Sequence, residues 1–261
     1  MLRSVDCNSN ISAKSHFTSQ TLQHLMEPEM LRLLDSKEKS ALESVNWSIK
    51  TVAKGSSLID QGEDTDTIYV LLSGWAFSYQ TSQEGERQIL DFLVNGALLG
   101  FCYGRASWYG VEMVTDCTIA ALPYSQFRQL LAKFPLLAVG IADKISESEM
   151  RAHEHLISLG RRSARERVAA LIVELMSRGQ SDESAVHGSA LDLPVTQIMI
   201  ADALGLSNEH VCRTLAKLAH QGILEFDRHV MKVLNPYALA VAAGRVTNDL
   251  TPMRLPAGIA A

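Results

Sequence analysis

Apolar residues follow three different rhythms along this chain, and each rhythm implies a different kind of element. From Leu22 to Val45 they fall at Leu22, Leu25, Met26, Met30, Leu33, Leu34 and Leu42, the spacing of short helices with a break at Pro28. Between Ile49 and Pro123 the pattern changes to short apolar or alternating runs, SLID, TIYVLL, WAFSYQ, QILDFLV, VEMVT and TIAALP. Gly- and Asp-rich stretches separate them (QGEDTD, SQEGER, NGALLG), as expected of an antiparallel barrel or jelly roll. Beyond Pro135 the rhythm becomes helical again. Leu136 to Leu159 contains no Gly or Pro after Gly140, which predicts one long helix. Ile141, Ile145, Ser148, Ala152, His155 and Leu159 recur every three or four residues, so they are expected to form one seam for self-association. Gly160 ends that pattern, and Ser163 with Glu166 three residues later has capping-box spacing for a new helix running to Met176. Residues 179–192 read as a polar loop.

Residues 193–224 read LPVTQIMIADALGLSNEHVCRTLAKLAHQGIL. Thr196 and Ser207 are placed to cap two short helices, with Gly205 in the turn between them, which is helix-turn-helix syntax. Ile200, Ala201, Leu204 and Leu206 would pack the helices together, with Val211, Leu215 and Leu218 as the buried stripe of the second. Asn208, Glu209, Cys212, Arg213 and Lys217 are then left outward. Such a helix fits the DNA major groove, where Arg donates twice to guanine and Glu accepts from cytosine. After Gly222, ILEF and VMKVL flank Asp227-Arg228-His229 as a wing whose Arg228 could meet a phosphate. Glycine-containing helix hairpins also occur in purely structural bundles, so the spacing alone leaves both readings open.

Composition narrows the choice. The 261 residues are 47% hydrophobic and 20% charged, enough apolar material for a core. No run of about 18 uncharged apolar residues occurs and the opening MLRSVDCNSNISAKSHF lacks an apolar signal region, so the expected place is the cytoplasm and not a membrane. Net charge is −5, and residues 161–234 carry nine Lys/Arg against nine Asp/Glu. A DNA-binding face must therefore arise by arrangement, because phosphate affinity needs local cations. Cys7, Cys102, Cys117 and Cys212 form no C-x-x-C, which argues against zinc knuckles. No histidine lies between Ile49 and Pro123, and no G-x-S-x-G occurs, so a cupin-type metalloenzyme and a hydrolase are both disfavoured. His153 and His155 point about 200° apart on a helix and make a poor metal pair.

In its order of elements the chain resembles the Crp/Fnr family of bacterial transcription regulators, over roughly residues 22–236. QGEDTDTIYVLLSG looks like that family's first β-roll hairpin, GERQILDFLVNGALLG like its later strands, and SNEHVCRTLAKLAHQGIL like its recognition helix. The resemblance implies an α+β fold with an N-terminal antiparallel, jelly-roll-like β-roll, a long dimerisation helix and a C-terminal winged helix-turn-helix. Its boundaries would be an N-terminal arm at 1–20, the sensor at 21–135, the dimerisation helix at 136–160, the DNA-binding domain at 161–236 and an extension at 237–261. It also implies a homodimer on a pseudo-palindromic promoter site, with double-stranded DNA and RNA polymerase as partners. The family's E-x-x-S/G-R reading pattern falls on Glu209, Cys212 and Arg213, with Cys212 departing from it and Asn208 standing where relatives often have Arg or Val.

Family members that bind cyclic nucleotides use a Glu after the glycine turn and an Arg-Ser pair. Here the turn is Gly96-Ala97-Leu98-Leu99-Gly100, and Ser107-Trp108 occupies the Arg-Ser place, with Arg105 two residues earlier. Cyclic AMP is accordingly disfavoured, since a buried phosphate needs a cation. Iron–sulfur sensors need about four thiolates, and only Cys7 lies in the arm, which argues against that centre too. Haem is left open, and no cofactor or metal is expected. The alternative is a cyclic-nucleotide-type sensor that regulates a protein partner. Cys212, one residue before Arg213, is either a small packing residue or a redox-active thiol.

Overall fold

The computed structural model describes residues 21–26, 28–101, 106–179, 186–187, 190–227 and 230–244. The arm at 1–20 and most of the extension at 237–261 lie outside them. After a helical turn at 21–25, α1 (Pro28–Leu33) and α2 (Ser36–Glu43) lead into the strands. Asp35 opens α2 with a capping box: its carboxylate accepts from Glu38 N at 2.7 Å while the Glu38 carboxylate accepts from Asp35 N at 2.9 Å.

Eight strands follow: β1 (Ser48–Val52), β2 (Ser57–Ile59), β3 (Thr67–Ser73), β4 (Ala76–Thr81), β5 (Arg87–Leu93), β6 (Leu98–Leu99), β7 (Gly110–Met113) and β8 (Cys117–Pro123). They form two antiparallel sheets, ordered β1-β8-β3-β6 and β2-β7-β4-β5. The alternation of β3 explains their stacking. Ile68, Val70 and Leu72 face a cluster made with Leu25, Met26, Phe127 and Ile141, while Leu71 points the other way into a cluster with Ala76, Val111, Met113 and Ile119. The central strands of the first sheet, β3 and β8, are thus buried on both faces, between helices and the second sheet. At the first sheet's edge Gly100 has φ +90, and a Cβ there would collide with the Thr67 carbonyl, so only glycine fits.

Two helices carry the chain away. The sequence reading missed α3 (Tyr124–Lys133), although Phe127, Leu130, Leu131 and Phe134 have helical spacing and pack in the helix-side cluster. The long helix α4 (Pro135–Arg161) runs through Gly160 and ends only at Arg162, which is extended. Next, Ser163 and Glu166 form the expected capping box at the head of α5 (Ala164–Gly179): Glu166 Oε2 accepts from Ser163 N at 2.8 Å and from Ser163 Oγ at 2.7 Å. Those hydrogen bonds hold the Glu166 carboxyl below its ordinary pKa. From Val168 to Met176 every residue of α5 is buried, which makes it the central post of the C-terminal unit.

Around α5 stand α6 (Gln197–Leu204), α7 (Asn208–His220), α8 (Pro236–Ala242) and a third antiparallel sheet. That sheet has the order β11-β12-β10-β9, from β9 (Val186–His187), β10 (Ala190–Leu193), β11 (Leu224–Asp227) and β12 (Val230–Val233). The sequence assigned 179–192 to a loop, whereas β10 pairs with β12 through Asp192↔Lys232 and Leu193↔Met231. Its strand character comes from that distant partner. Likewise α8 begins where the extension was expected, but Leu239 and Ala243 are fully buried in the same core as α5. This core continues across to Trp75, Phe77, Ile89 and Phe92 on the outer side of the second sheet, so the C-terminal unit sits directly on β4 and β5.

Candidate nucleic-acid interface

Local chemistry builds the helix-turn-helix. Thr196 is extended, and its hydroxyl accepts from Met199 N at 3.2 Å, starting α6. Gly205 ends α6 in the left-handed conformation, φ +59, which L side chains rarely adopt. Ser207 then caps α7 by accepting from His210 N at 3.3 Å. Val211, Leu215 and Leu218 are buried, with the Thr214 hydroxyl donating to the His210 carbonyl at 2.9 Å.

What remains outward on α7 is Asn208, Glu209, His210, Cys212, Arg213, Ala216, Lys217, Ala219 and His220, all exposed. Glu209 and Arg213, one turn apart, form an ion pair of 3.4 Å whose side chains are 77% and 64% exposed. A pair that wet is weakly held, so both groups can give each other up for another partner. Sequence reasoning missed His210 and His220, although His220 stands two turns beyond Arg213 on the same stripe. It also missed Arg165, which donates to Gln221 Oε1 at 2.7 Å and lines a hollow with Lys217 and His220. Arg228 lies outside the described residues.

The six seam residues separate into two sets. Ile145 is 51% exposed, and Ser148 and Ala152 are exposed beside it. Ile141 is buried against the chain's own N-terminal helices, Leu159 is half-buried, and His155 turns inward, its Nε2 2.7 Å from Glu174 Oε2. The outward apolar row runs instead through Ala142, Ile145, Ala152 and Leu156, with Leu156 66% exposed. Among the cysteines, Cys212 is exposed, whereas Cys117 is buried with its thiol 3.3 Å from the Trp75 carbonyl. Burial pushes the Cys117 thiol pKa up, which makes it inert. Cys7 and Cys102 lie outside the described residues.

In the β-roll, Ala97 packs its methyl against the inter-sheet cluster. Ser107 is buried and its hydroxyl donates to the Tyr109 carbonyl at 2.7 Å, while Trp108 is 54% exposed. These positions offer neither a carboxylate for a ribose nor a guanidinium for a phosphate; Arg105 lies outside the described residues.

This arrangement, a β-roll joined by a long helix to a winged helix-turn-helix, defines a class of DNA-binding regulator. Residues 49–134 match the cyclic nucleotide-binding domain, and residues 166–242 match the Crp-like helix-turn-helix domain. The nitrogen fixation regulation protein FixK of Rhizobium meliloti is 31% identical over 196 residues, covering 73% of this chain and 85% of its own. The transcriptional activator protein FnrL of Cereibacter sphaeroides is 27% identical over 201 residues, with 76% and 81% covered. The solved structure of FixK2 from Bradyrhizobium japonicum superposes with a TM-score of 0.67 at 25% identity, over 76% of this chain and 98% of that one. The chain belongs to the Crp/Fnr family, and it is a DNA-binding transcription regulator. Among the described residues no helix is long and apolar enough to cross a membrane.

Proposed function

We propose that the protein works in the cytoplasm as a homodimer on a pseudo-palindromic promoter site, with α4 at the two-fold contact and RNA polymerase as its partner. The observation that carries this reading is the outward row of Ala142, Ile145, Ala152 and Leu156, whose steps of three, seven and four residues, with exposed Glu149 between Ile145 and Ala152, suit a second copy of the same helix. Two α7 helices would then enter successive major grooves about 34 Å apart. Arg213 donates to guanine and Glu209 accepts from cytosine, with Asn208 and Cys212 bordering the same edges. Lys217 meets phosphate, and the helix N-termini capped by Thr196 and Ser207 approach the backbone. Sedimentation of the purified chain together with gel shifts on whole and half operators tests the reading. A monomer that binds half-sites as tightly as whole sites would remove the dimer.

Cys212 gives the reading surface a redox response. Peroxide oxidation of its thiol to the sulfinic acid adds negative charge opposite DNA, so treatment should abolish the gel shift of the parent but spare Cys212→Ser. Equal loss in both would leave Cys212 as a spacer.

A further inference from the structure

One strand of the sensor makes polar ties to three helices outside the sheet. From β5, Arg87 Nε lies 2.9 Å from Asp202 Oδ2 of α6, and Gln88 Nε2 donates to the Ala203 carbonyl at 3.0 Å. Two residues beyond Ile89, Asp91 pairs through Oδ1 with Arg178 of α5 at 2.7 Å and through Oδ2 with Arg151 of α4 at 3.3 Å. Arg178 also reaches Glu174 Oε1 at 3.2 Å, and Glu174 Oε2 meets His155 of α4 at 2.7 Å. The chain of charges therefore leaves the sensor, crosses the DNA-binding unit and returns to the long helix. It is largely out of water, with side-chain exposures of 17% for Asp91, 14% for Arg178 and 4% for Glu174.

Adhesion between the two units does not need these ions. Trp75, Phe77, Ile89 and Phe92 already join the core of the DNA-binding unit, and apolar contact is non-directional. Buried ion pairs add little net stability compared with apolar residues of the same size, but their geometry is strict. The apolar patch joins the two units, and the charges, being directional, specify one setting of the one on the other. In that setting α7 keeps its polar face in solvent.

We propose that Arg87, Asp91, Arg178, Glu174 and His155 are positioning residues that fix the angle of the DNA-binding unit on α4, and with it the half-site spacing the dimer accepts. This rests on the dimeric reading above. The test uses the full chain, with duplexes selected from randomised DNA by the parent and rebuilt with the centre lengthened or shortened by one and two base pairs. Arg87→Gln breaks the separate tie to Asp202, and the double variant Asp91→Leu/Arg178→Met replaces the centre of the network with apolar volume, its folding checked by the melting transition. Both should stay dimeric in sedimentation and lose affinity at the preferred spacing. Coupling between packed units commonly amounts to about 5- to 150-fold in affinity, so the penalty for a wrong spacing should shrink on that scale. A merely structural network would lower the melting temperature and leave the spacing profile untouched. Folded variants with the parent's profile overturn the positioning role while leaving the dimer intact. A parent without any spacing preference overturns the dimeric reading itself.

Discussion

Helices α4 and α7 are both amphipathic and both present a face to solvent, but the faces are opposites. On α7 the outward residues are Asn208, Glu209, Arg213, Lys217 and His220; on α4 the outward row includes Ala142, Ile145, Ala152 and Leu156. A polyanion attracts the first face and has nothing to offer the second, which water leaves only for another apolar surface. Burial of the inner faces is similar in kind, with Val211, Leu215 and Leu218 in one helix and Leu137 and Ile141 in the other. On the proposed reading, the partner of each helix meets the side that its own chain does not use.

The sharpest way to break this contrast is to make the α4 face charged. Ile145→Glu with Leu156→Glu places carboxylates where two copies would meet, and burying an unpaired charge costs several kcal/mol. Dimers at micromolar concentration should disappear in sedimentation, and whole-operator binding should disappear with them although α7 is untouched. Next in size, Arg213→Ala should cost about 1–3 kcal/mol at the operator and relax the preference at one base pair per half-site, read by competition with single-base variants. Lys217→Ala should weaken all sequences alike and reduce the salt slope by roughly one unit. If both α7 substitutions gave the same sequence-independent loss, Arg213 would be a phosphate contact only.

The smallest effect is a pH dependence at the inner side of α4. His155 is faced by Glu174, Arg178 and Arg167 from α5 and by Asp91 from β5, with Arg151, Glu154 and Arg162 nearby on and after its own helix. Burial alone would lower its pKa, but the hydrogen bond and charge of Glu174, aided by Asp91, outweigh burial and the opposing Arg178, so it is raised above 6.5. A raised folded pKa stabilises the fold fully below pH 6.5, and this contribution fades as pH climbs through the folded value. The melting-temperature gap between parent and His155→Gln should therefore be widest in mild acid and close toward alkaline pH. A gap that grows with pH would contradict the raised value. Asp91 behaves in the reverse sense. Burial pushes its carboxyl up, Arg178 and Arg151 more than offset that, and its contribution is lost only when acid reaches a pKa below 3.8.

The sequence was most legible where structure is made by neighbours. Thr196, Gly205 and Ser207 act within a few residues of themselves, so the helix-turn-helix and the exposed side of α7 could be placed from spacing. Elements made by distant partners could not. β10 is a strand because β12 pairs with it, and Arg87 finds Asp202 115 residues away. The α4 seam failed midway for a related reason. Two adjoining stripes share the same period, and distant partners decide between them: Glu174 meets His155, and Leu25 and Met26 pack in one cluster with Ile141.

The shared core beneath the DNA-binding unit bears on how such a protein can change over generations. Trp75, Phe77, Ile89, Phe92 and Val114 are covered by residues from α5 onward, so the C-terminal part is not an independent lodger on the β-roll. Exchanging it for a relative's would strip or mismatch that patch, and truncating Phe92 alone to Ala would cost about 3–5 kcal/mol, a large fraction of a domain's stability. On the proposed reading, specificity for new DNA sites is consequently more accessible by substitution along the exposed side of α7 than by recombination of whole halves.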